Sequence, residues 1–352
     1  MRSYDEARSD SNTIYVGIDV HKKSWHVTIR TADRQEWSGS IVAEWEVLEK
    51  VLGRYSDGKV VAVYEAGFSG FWLYDRLVSW GAECLVTPPS LIPSTYGNHV
   101  KTDRLDSAKL ALLLSRGLLK AVWVPDPEAR RHRQVIRRRR QLIGDRIRTQ
   151  CRIKSELACF GVPLPEINGK WSRAFEQHLW QIRFADRWQT ESFQGLLKQY
   201  QMLSELIDQQ TRLLRELSLT ERYGQAVKHL CSIPGIGLLT AMELLLELGD
   251  FTRFPRGSKL AAYVGLTPSQ YSSGEKVRLG RITGIGKPQL RASLIESAWV
   301  LIRKDAAQRL RYEQLRQRCG SKRAIVAMAR RLLLIARRLL LDQQSYRLKP
   351  AA

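Results

Sequence analysis

Asp103 and Asp106 stand three residues apart in the run Lys101-Thr102-Asp103-Arg104-Leu105-Asp106-Ser107-Ala108, just ahead of an apolar stretch from Leu110 to Leu114. On a helix, positions i and i+3 share a face, so both carboxylates point the same way. A shared cation relieves their repulsion, which makes the pair a candidate divalent-metal site with oxygen ligands. The competing reading is a capped helix start with an acidic first turn. Two further acids favour the metal. Asp19 closes the β-branched run TIYVGIDV at 13–20, and Glu65 follows the run KVVAVY at 59–64. Two acids at strand ends and two at a helix start can together hold two metal ions.

The elements that must position these acids follow from the pattern of the first third of the chain. Residues 13–20, 24–30 and 35–42 read as a three-strand meander, the second alternating apolar and polar positions. A helix over 44–54, a strand at 59–64, a helix over 71–80 and a strand at 82–87 follow. This order predicts an α/β domain with a mixed sheet, in which strand C-terminal ends and helix starts converge at one edge.

The rest of the chain is basic and largely helical. It has 57 Lys and Arg against 35 Asp and Glu, a net charge of +22. Residues 128–154 hold eleven Lys and Arg against Glu128 and Asp145, and residues 276–341 hold seventeen against Glu296, Asp305 and Glu313. Two concentrated basic surfaces point to a nucleic acid, whose neutralised phosphates release counterions. Residues 128–157 read as one long helix carrying Arg137-Arg138-Arg139-Arg140, which points all round and cannot meet a single groove; Arg137 and Arg138 are the phosphate candidates. Phe193, Leu196, Tyr200, Leu203, Ile207, Gln210, Leu214 and Leu217 keep 3-4 spacing, a coiled-coil seam for the basic helix or for a second protomer. Ile233-Pro234-Gly235-Ile236-Gly237 between two apolar segments resembles a helix-hairpin-helix, with Gly235 and Gly237 bringing amides near a phosphate. Near the end, Arg323, Arg330 and Arg337 recur every seven residues beside an apolar stripe, Arg330 and Arg337 being candidate phosphate contacts.

Five cysteines without CxxC spacing argue against a disulfide framework or zinc site. The polar N-terminus is no signal peptide, and residues 332–341 are too short and too interrupted to span a bilayer. A reducing, cytoplasmic protein with no membrane contact is expected.

Several motifs resemble one family. GID-V-H-K at 17–22, YEA-G at 64–67 and the acidic run at 101–108 are similar to the insertion-sequence transposases of family one-hundred-and-ten, also described as bridge-RNA-guided recombinases. A-Y-x-G-L-x-P at 262–268, S-S-G at 272–274 and R-L-G-R-I at 278–282 are similar to that family's second catalytic segment. The resemblance implies an RNase H-like (RuvC-like) fold for 13–125 after a disordered tail at 1–12. It also implies a basic helix and coiled coil over 126–222, and a mainly α transposase domain with a helix-hairpin-helix over 223–345. It maps the family's D-E-D-D metal set to Asp19, Glu65, Asp103 and Asp106, with Mg2+ (or Mn2+) as cofactor. It maps the nucleophile to Ser273, which would form a covalent link to DNA. Lys101, Arg104, Lys276, Arg278 and Arg281 would contact nucleic acid. Donor and target DNA, a non-coding guide RNA and a homo-oligomer (dimer or tetramer) are the implied partners. Serine and acids lie on separate domains, so a composite site between protomers is expected. Two other readings use the same residues. One is a metal-dependent RuvC-like nuclease or Holliday-junction resolvase with water as nucleophile. The other is a non-catalytic nucleic-acid scaffold.

Overall fold

Strand β1 (Thr13–Val20) pairs antiparallel with β2 (Ser24–Arg30), which pairs antiparallel with β3 (Gln35–Val42). On its other edge β1 runs parallel to β4 (Lys59–Glu65), and β4 runs parallel to β5 (Glu83–Thr87). The result is a mixed five-stranded sheet in the order β3-β2-β1-β4-β5, as the strand pattern predicts. The computed structural model describes residues 12–93, 102–164, 171–270 and 279–348, so Lys101, Ser273, Lys276, Arg278 and nearly all of the N-terminal tail lie outside the described residues. The chain divides into two compact units, Met1–Pro125 and Asp126–Ala352.

In the first unit, side-chain alternation assigns each sheet face a partner. Ile14, Val16, Ile18, Val60, Ala62 and Tyr64 turn to the face covered by α1 (Trp45–Leu52) and α2 (Trp72–Trp80), joining the buried Trp25, Leu48 and Leu73. Tyr15, Val61 and Val63 turn to the opposite face and bury Leu110 and Leu114 of α3 (Asp103–Ser115). Each such side chain taken out of water contributes about 1.5–3 kcal/mol. Gly17 lies on that second face. A Cβ there would stand 2.2 Å from the Ser107 carbonyl oxygen and 2.6 Å from the Ala111 nitrogen, so α3 crosses β1 where the strand has no side chain. Thr102 caps the helix, its side chain accepting from the Leu105 amide at 3.4 Å.

In the second unit, Asp126 caps α4 (Pro127–Cys159) and Pro127 occupies its first turn. Following α5 (Arg173–Gln181), α6 (Arg187–Leu219) returns along α4. Ile153 and Leu157 pack with Phe193 and Leu197, and Leu142 with Leu203 and Ile207. Of the predicted seam positions, Phe193, Leu203 and Ile207 therefore pack on the basic helix of the same chain, beside Leu197, which the 3-4 spacing did not include. Ile136 and Leu214 extend into the core of α7 (Glu221–Cys231), α8 (Leu238–Leu248), α9 (Gly257–Val264), α10 (Pro288–Lys304), α11 (Ala306–Cys319) and α12 (Ser321–Asp342). Between α9 and α10 stands a short antiparallel pair, β6 (Pro268–Gln270) and β7 (Leu279–Ile282). No described helix is long and apolar enough to cross a membrane.

Candidate active site and nucleic-acid interface

Asp19 lies near the C-terminal end of β1, and Glu65 is the last residue of β4. Ile18 pairs with Tyr64 in the parallel ladder, so Asp19 and Glu65 are the next step along it and share the face that α3 covers. Asp103 is the first residue of α3 and Asp106 lies in its first turn. The helix start thus arrives over the two strand ends, which is the convergence expected at one edge of such a sheet.

Among the described residues, the ligand atoms that meet within 4.8 Å of one another belong to Asp19, His21 and Asp103. His21 Nε2 is 3.2 Å from Asp19 Oδ2 and 3.4 Å from Asp103 Oδ1, so one imidazole bridges both carboxylates. Glu65 and Asp106 are not in that set; both are half-buried beside it. Burial is the largest influence on Asp19 and raises its pKa. The charge and hydrogen bond of His21 lower it, the charges of Asp103 and Asp106 raise it again, and the net shift is upward. A carboxyl under these influences gains from a cation placed between it and its acidic neighbours. The donor set therefore suits a divalent ion: two carboxylates already face one point, and the charge of a third acts on the same group. Sequence reasoning passed over His21. Its signal was available, because it stands two residues beyond Asp19 at the end of a strand, where alternation returns a side chain to the same side.

Three hydroxyl and imidazole groups seat the helix that carries Asp103. Ser107 is fully buried, and its Oγ lies 2.8 Å from His26 Nδ1 and 2.8 Å from Thr28 Oγ1. Thr28 in turn bonds Ser38 at 3.0 Å. His26 pairs with Asp19 in the β1–β2 register, and Thr28 with Gly17. The side-chain hydrogen bonds and the glycine gap therefore fix α3 at one height along β1. Arg104, the second residue of α3, is exposed beside this group.

The second unit places the other predicted residues unevenly. Ser273 falls in sequence between β6 and β7, outside the described residues, and the two strands pair through Pro268–Ile282 and Gln270–Leu279. Arg281 is exposed on β7. Arg291 Nη1 donates to the carbonyls of Val264 at 3.1 Å and Ile285 at 3.0 Å, tying the two roots of this hairpin together.

Among the four consecutive arginines, Arg137 and Arg140 bond Glu247, Arg140 also bonds Glu243, and Arg139 donates to Thr211 Oγ1 at 2.8 Å. Three arginines of this run thus have partners within the protein, while the Arg137 side chain stays 43% exposed and Arg138 is exposed. Arg337 Nη2 donates to the Phe254 carbonyl at 2.7 Å, pinning α12 to the segment before α9. Arg330 is half-buried and lines a groove with Arg311, Arg331 and Leu334. Gly235 has φ +95°, and a Cβ there would lie 2.3 Å from the Ser297 carbonyl, so α10, rather than a phosphate, explains the glycine. Gly237 opens α8 with no neighbour over its Cβ position.

Known proteins match along this same layout. A transposase family model for the DEDD domain of IS110 elements matches residues 16–160. A second model, described as Transposase IS116/IS110/IS902 family, matches residues 227–313. The candidate transposase y4pF/y4sB of Sinorhizobium fredii is 30% identical over 348 residues, covering 95% of this chain and 86% of that protein. The transposase for insertion sequence element IS1111A of Coxiella burnetii is 28% identical over 97% of this chain and 93% of its own. The transposase for insertion sequence element IS1533 of Leptospira borgpetersenii is 26% identical over 81% and 84%. The acids of the first unit fall inside one matched segment and the β6–β7 hairpin inside the other, and the chain belongs to the IS110/IS116/IS902 family of insertion-sequence transposases.

Proposed function

We propose that this transposase cuts and rejoins DNA by attack of the Ser273 hydroxyl on a backbone phosphate, with Asp19, Glu65, Asp103 and Asp106 binding Mg2+ or Mn2+. The observation that carries the reading is the meeting of Asp19 and Asp103 at the open edge of the sheet, with Glu65 one ladder step from Asp19. The strand order and the acid positions also support an RNase H-like (RuvC-like) first unit. A divalent ion held by these acids supplies positive charge to a phosphate and favours a deprotonated nucleophile. His21 competes for the same carboxylate oxygens and gives way, since a hard cation prefers oxygen to imidazole nitrogen.

In the first chemical step Ser273 Oγ loses its proton to solvent and bonds to phosphorus. The bond from phosphorus to one deoxyribose oxygen breaks, and that oxygen leaves with a proton. In the second step a free deoxyribose hydroxyl attacks the serine-linked phosphate, and Ser273 regains its proton as it departs. Lys276, Arg278 and Arg281 flank the serine in sequence and neutralise the phosphate that reacts. The concentration of basic residues supports a second polyanion, a non-coding guide RNA, and a homo-oligomer would bring two DNA ends together.

Asp19→Asn and Asp103→Asn test the acids directly. Each lowers strand cleavage of a plasmid carrying the element by about a hundredfold or more, while far-UV circular dichroism stays that of the wild type. Cleavage at the wild-type rate in both variants removes the acids from the mechanism. The RNA is tested by adding the transcript of the element's non-coding flank to RNase-treated protein. Cleavage rises with it; full activity without it excludes the guide.

A further inference from the structure

Three elements of the second unit, α8, α4 and the start of α10, meet at one carboxylate. Glu247 on α8 has a side chain only 2% exposed. It accepts from Arg137 Nε at 3.0 Å and Nη2 at 3.2 Å, both from α4, and from Lys287 Nζ at 2.9 Å, at the cap of α10. Arg140 adds a bond at 3.5 Å and pairs with Glu243, which also accepts from Ser293 at 2.8 Å.

Arg133, one turn before Arg137, is buried at 9% exposure. Its Nε donates to the Leu246 carbonyl at 2.6 Å, but its Nη2 is buried without a hydrogen-bond partner. The charges acting on it are those of Glu247, Arg137, Tyr263 and Arg253. Arg253 lies 4.6 Å from the centre of the Tyr263 ring and 4.1 Å from that of Phe254.

Four cations, Arg133, Arg137, Arg140 and Lys287, thus stand around two carboxylates, Glu243 and Glu247. Positive charge buried beyond its counter-ions is costly, and buried donors normally have partners. An anion would complete this group. Two of its cations keep an outer face: the Arg137 side chain is 43% exposed and that of Lys287 29%. Arg137 pairs through the Nε–Nη2 edge, which leaves Nη1 to donate elsewhere. Glu247 fixes both cations before any ligand arrives, so less side-chain freedom is lost on binding. Tyr263 and Lys287 bracket the segment that forms the β6–β7 hairpin.

We propose that Arg137 and Lys287, held on Glu247, form a built site for a backbone phosphate of DNA at the root of the β6–β7 hairpin, with Arg133 behind them. The site rests on the reading that this chain acts on DNA, and it adds the residues that hold the strand at the base of β6 and β7. Lys287 and Glu247 are positioning and binding groups that neither charge density nor motif singles out.

The test uses the full chain and a labelled duplex that spans the element's end and its flank, with a labelled RNA of equal length as a second probe. Lys287→Gln reduces the slope of log affinity against log salt by about one and weakens duplex binding several-fold at moderate salt, while Lys287→Arg restores both. An unchanged slope in a folded Lys287→Gln variant overturns the site and makes the network a brace only. A slope changed for the RNA probe and not for the duplex also overturns it, in favour of RNA. Should Lys287→Gln fail to fold, acylation of Lys287 in the wild-type protein decides: bound duplex suppresses it, and unaltered labelling refutes the proposal. Loss of all salt-dependent duplex binding by the wild type would instead strike the reading that the chain acts on DNA.

Discussion

Asp19 is a carboxylate whose charge the fold opposes. Its pKa is raised from its ordinary value because burial leads and two neighbouring acids add to it. For an acid raised on folding, the ionised form is a net cost, and that cost is fully present at neutral pH. Asp19→Asn should therefore raise the melting temperature by about 1–3 °C without metal, read by calorimetry at pH 7, while abolishing the response to Mg2+. A lower melting temperature would mean that the Asp19–His21 bond outweighs burial.

Glu247 is the opposite case. Burial pushes its carboxyl up, but hydrogen bonds from Arg137 and Lys287, and their charges, outweigh it and hold it at about 2. A carboxyl lowered on folding stabilises above its unfolded value of 4.5 and loses that contribution as pH falls from there towards 2. The difference in stability between wild type and Glu247→Gln should shrink over that window in acid titrations. The acids at strand ends were legible from the chain because they interrupt apolar runs. Glu247 was not, because it sits within the apolar run of α8, where nothing local announces its partners on α4 and at the cap of α10.

At the scale of elements, α3 is the part that brings Asp103 to Asp19 and His21. Gly17→Ala would place a methyl group against the Ser107 carbonyl and the Ala111 amide. It should cost about 1–3 kcal/mol by lifting α3 from β1, and cleavage should fall together with the melting temperature. Ser107→Ala, which leaves His26 and Thr28 without their shared partner, should act in the same direction more weakly. Retained stability in Gly17→Ala would show that α3 does not seat there. The strands were readable residue by residue, since period-two alternation and β-branched runs mark them. What local pattern could not supply was partner choice. Phe193, Leu203 and Ile207 of α6 pack on α4, and Arg137, Arg140 and Arg337 reach Glu247, Glu243 and the Phe254 carbonyl. Gly235 likewise carries a turn signal in sequence, and only the approach of α10 explains it.

At the scale of the whole molecule, the proposed mechanism draws on both units, with the acids in Met1–Pro125 and Ser273 in the sequence of Asp126–Ala352. Ligands that bind only the folded state stabilise it by about 2.7 kcal/mol at a hundred times Kd. Mg2+ should therefore raise the thermal stability of the wild type, and that shift should vanish in Asp19→Asn and persist in Ser273→Ala. Equal shifts in all three would place the ion elsewhere. The net charge of +22 was legible as a preference for polyanions, but its division into bracing and binding arginines needed the fold. The covalent step is tested most directly by denaturing electrophoresis of end-labelled element DNA after reaction with Mg2+. The account predicts a protein-linked DNA band for the wild type that is absent from Ser273→Ala and strongly reduced in Asp103→Asn. Complete strand exchange by Ser273→Ala would contradict it.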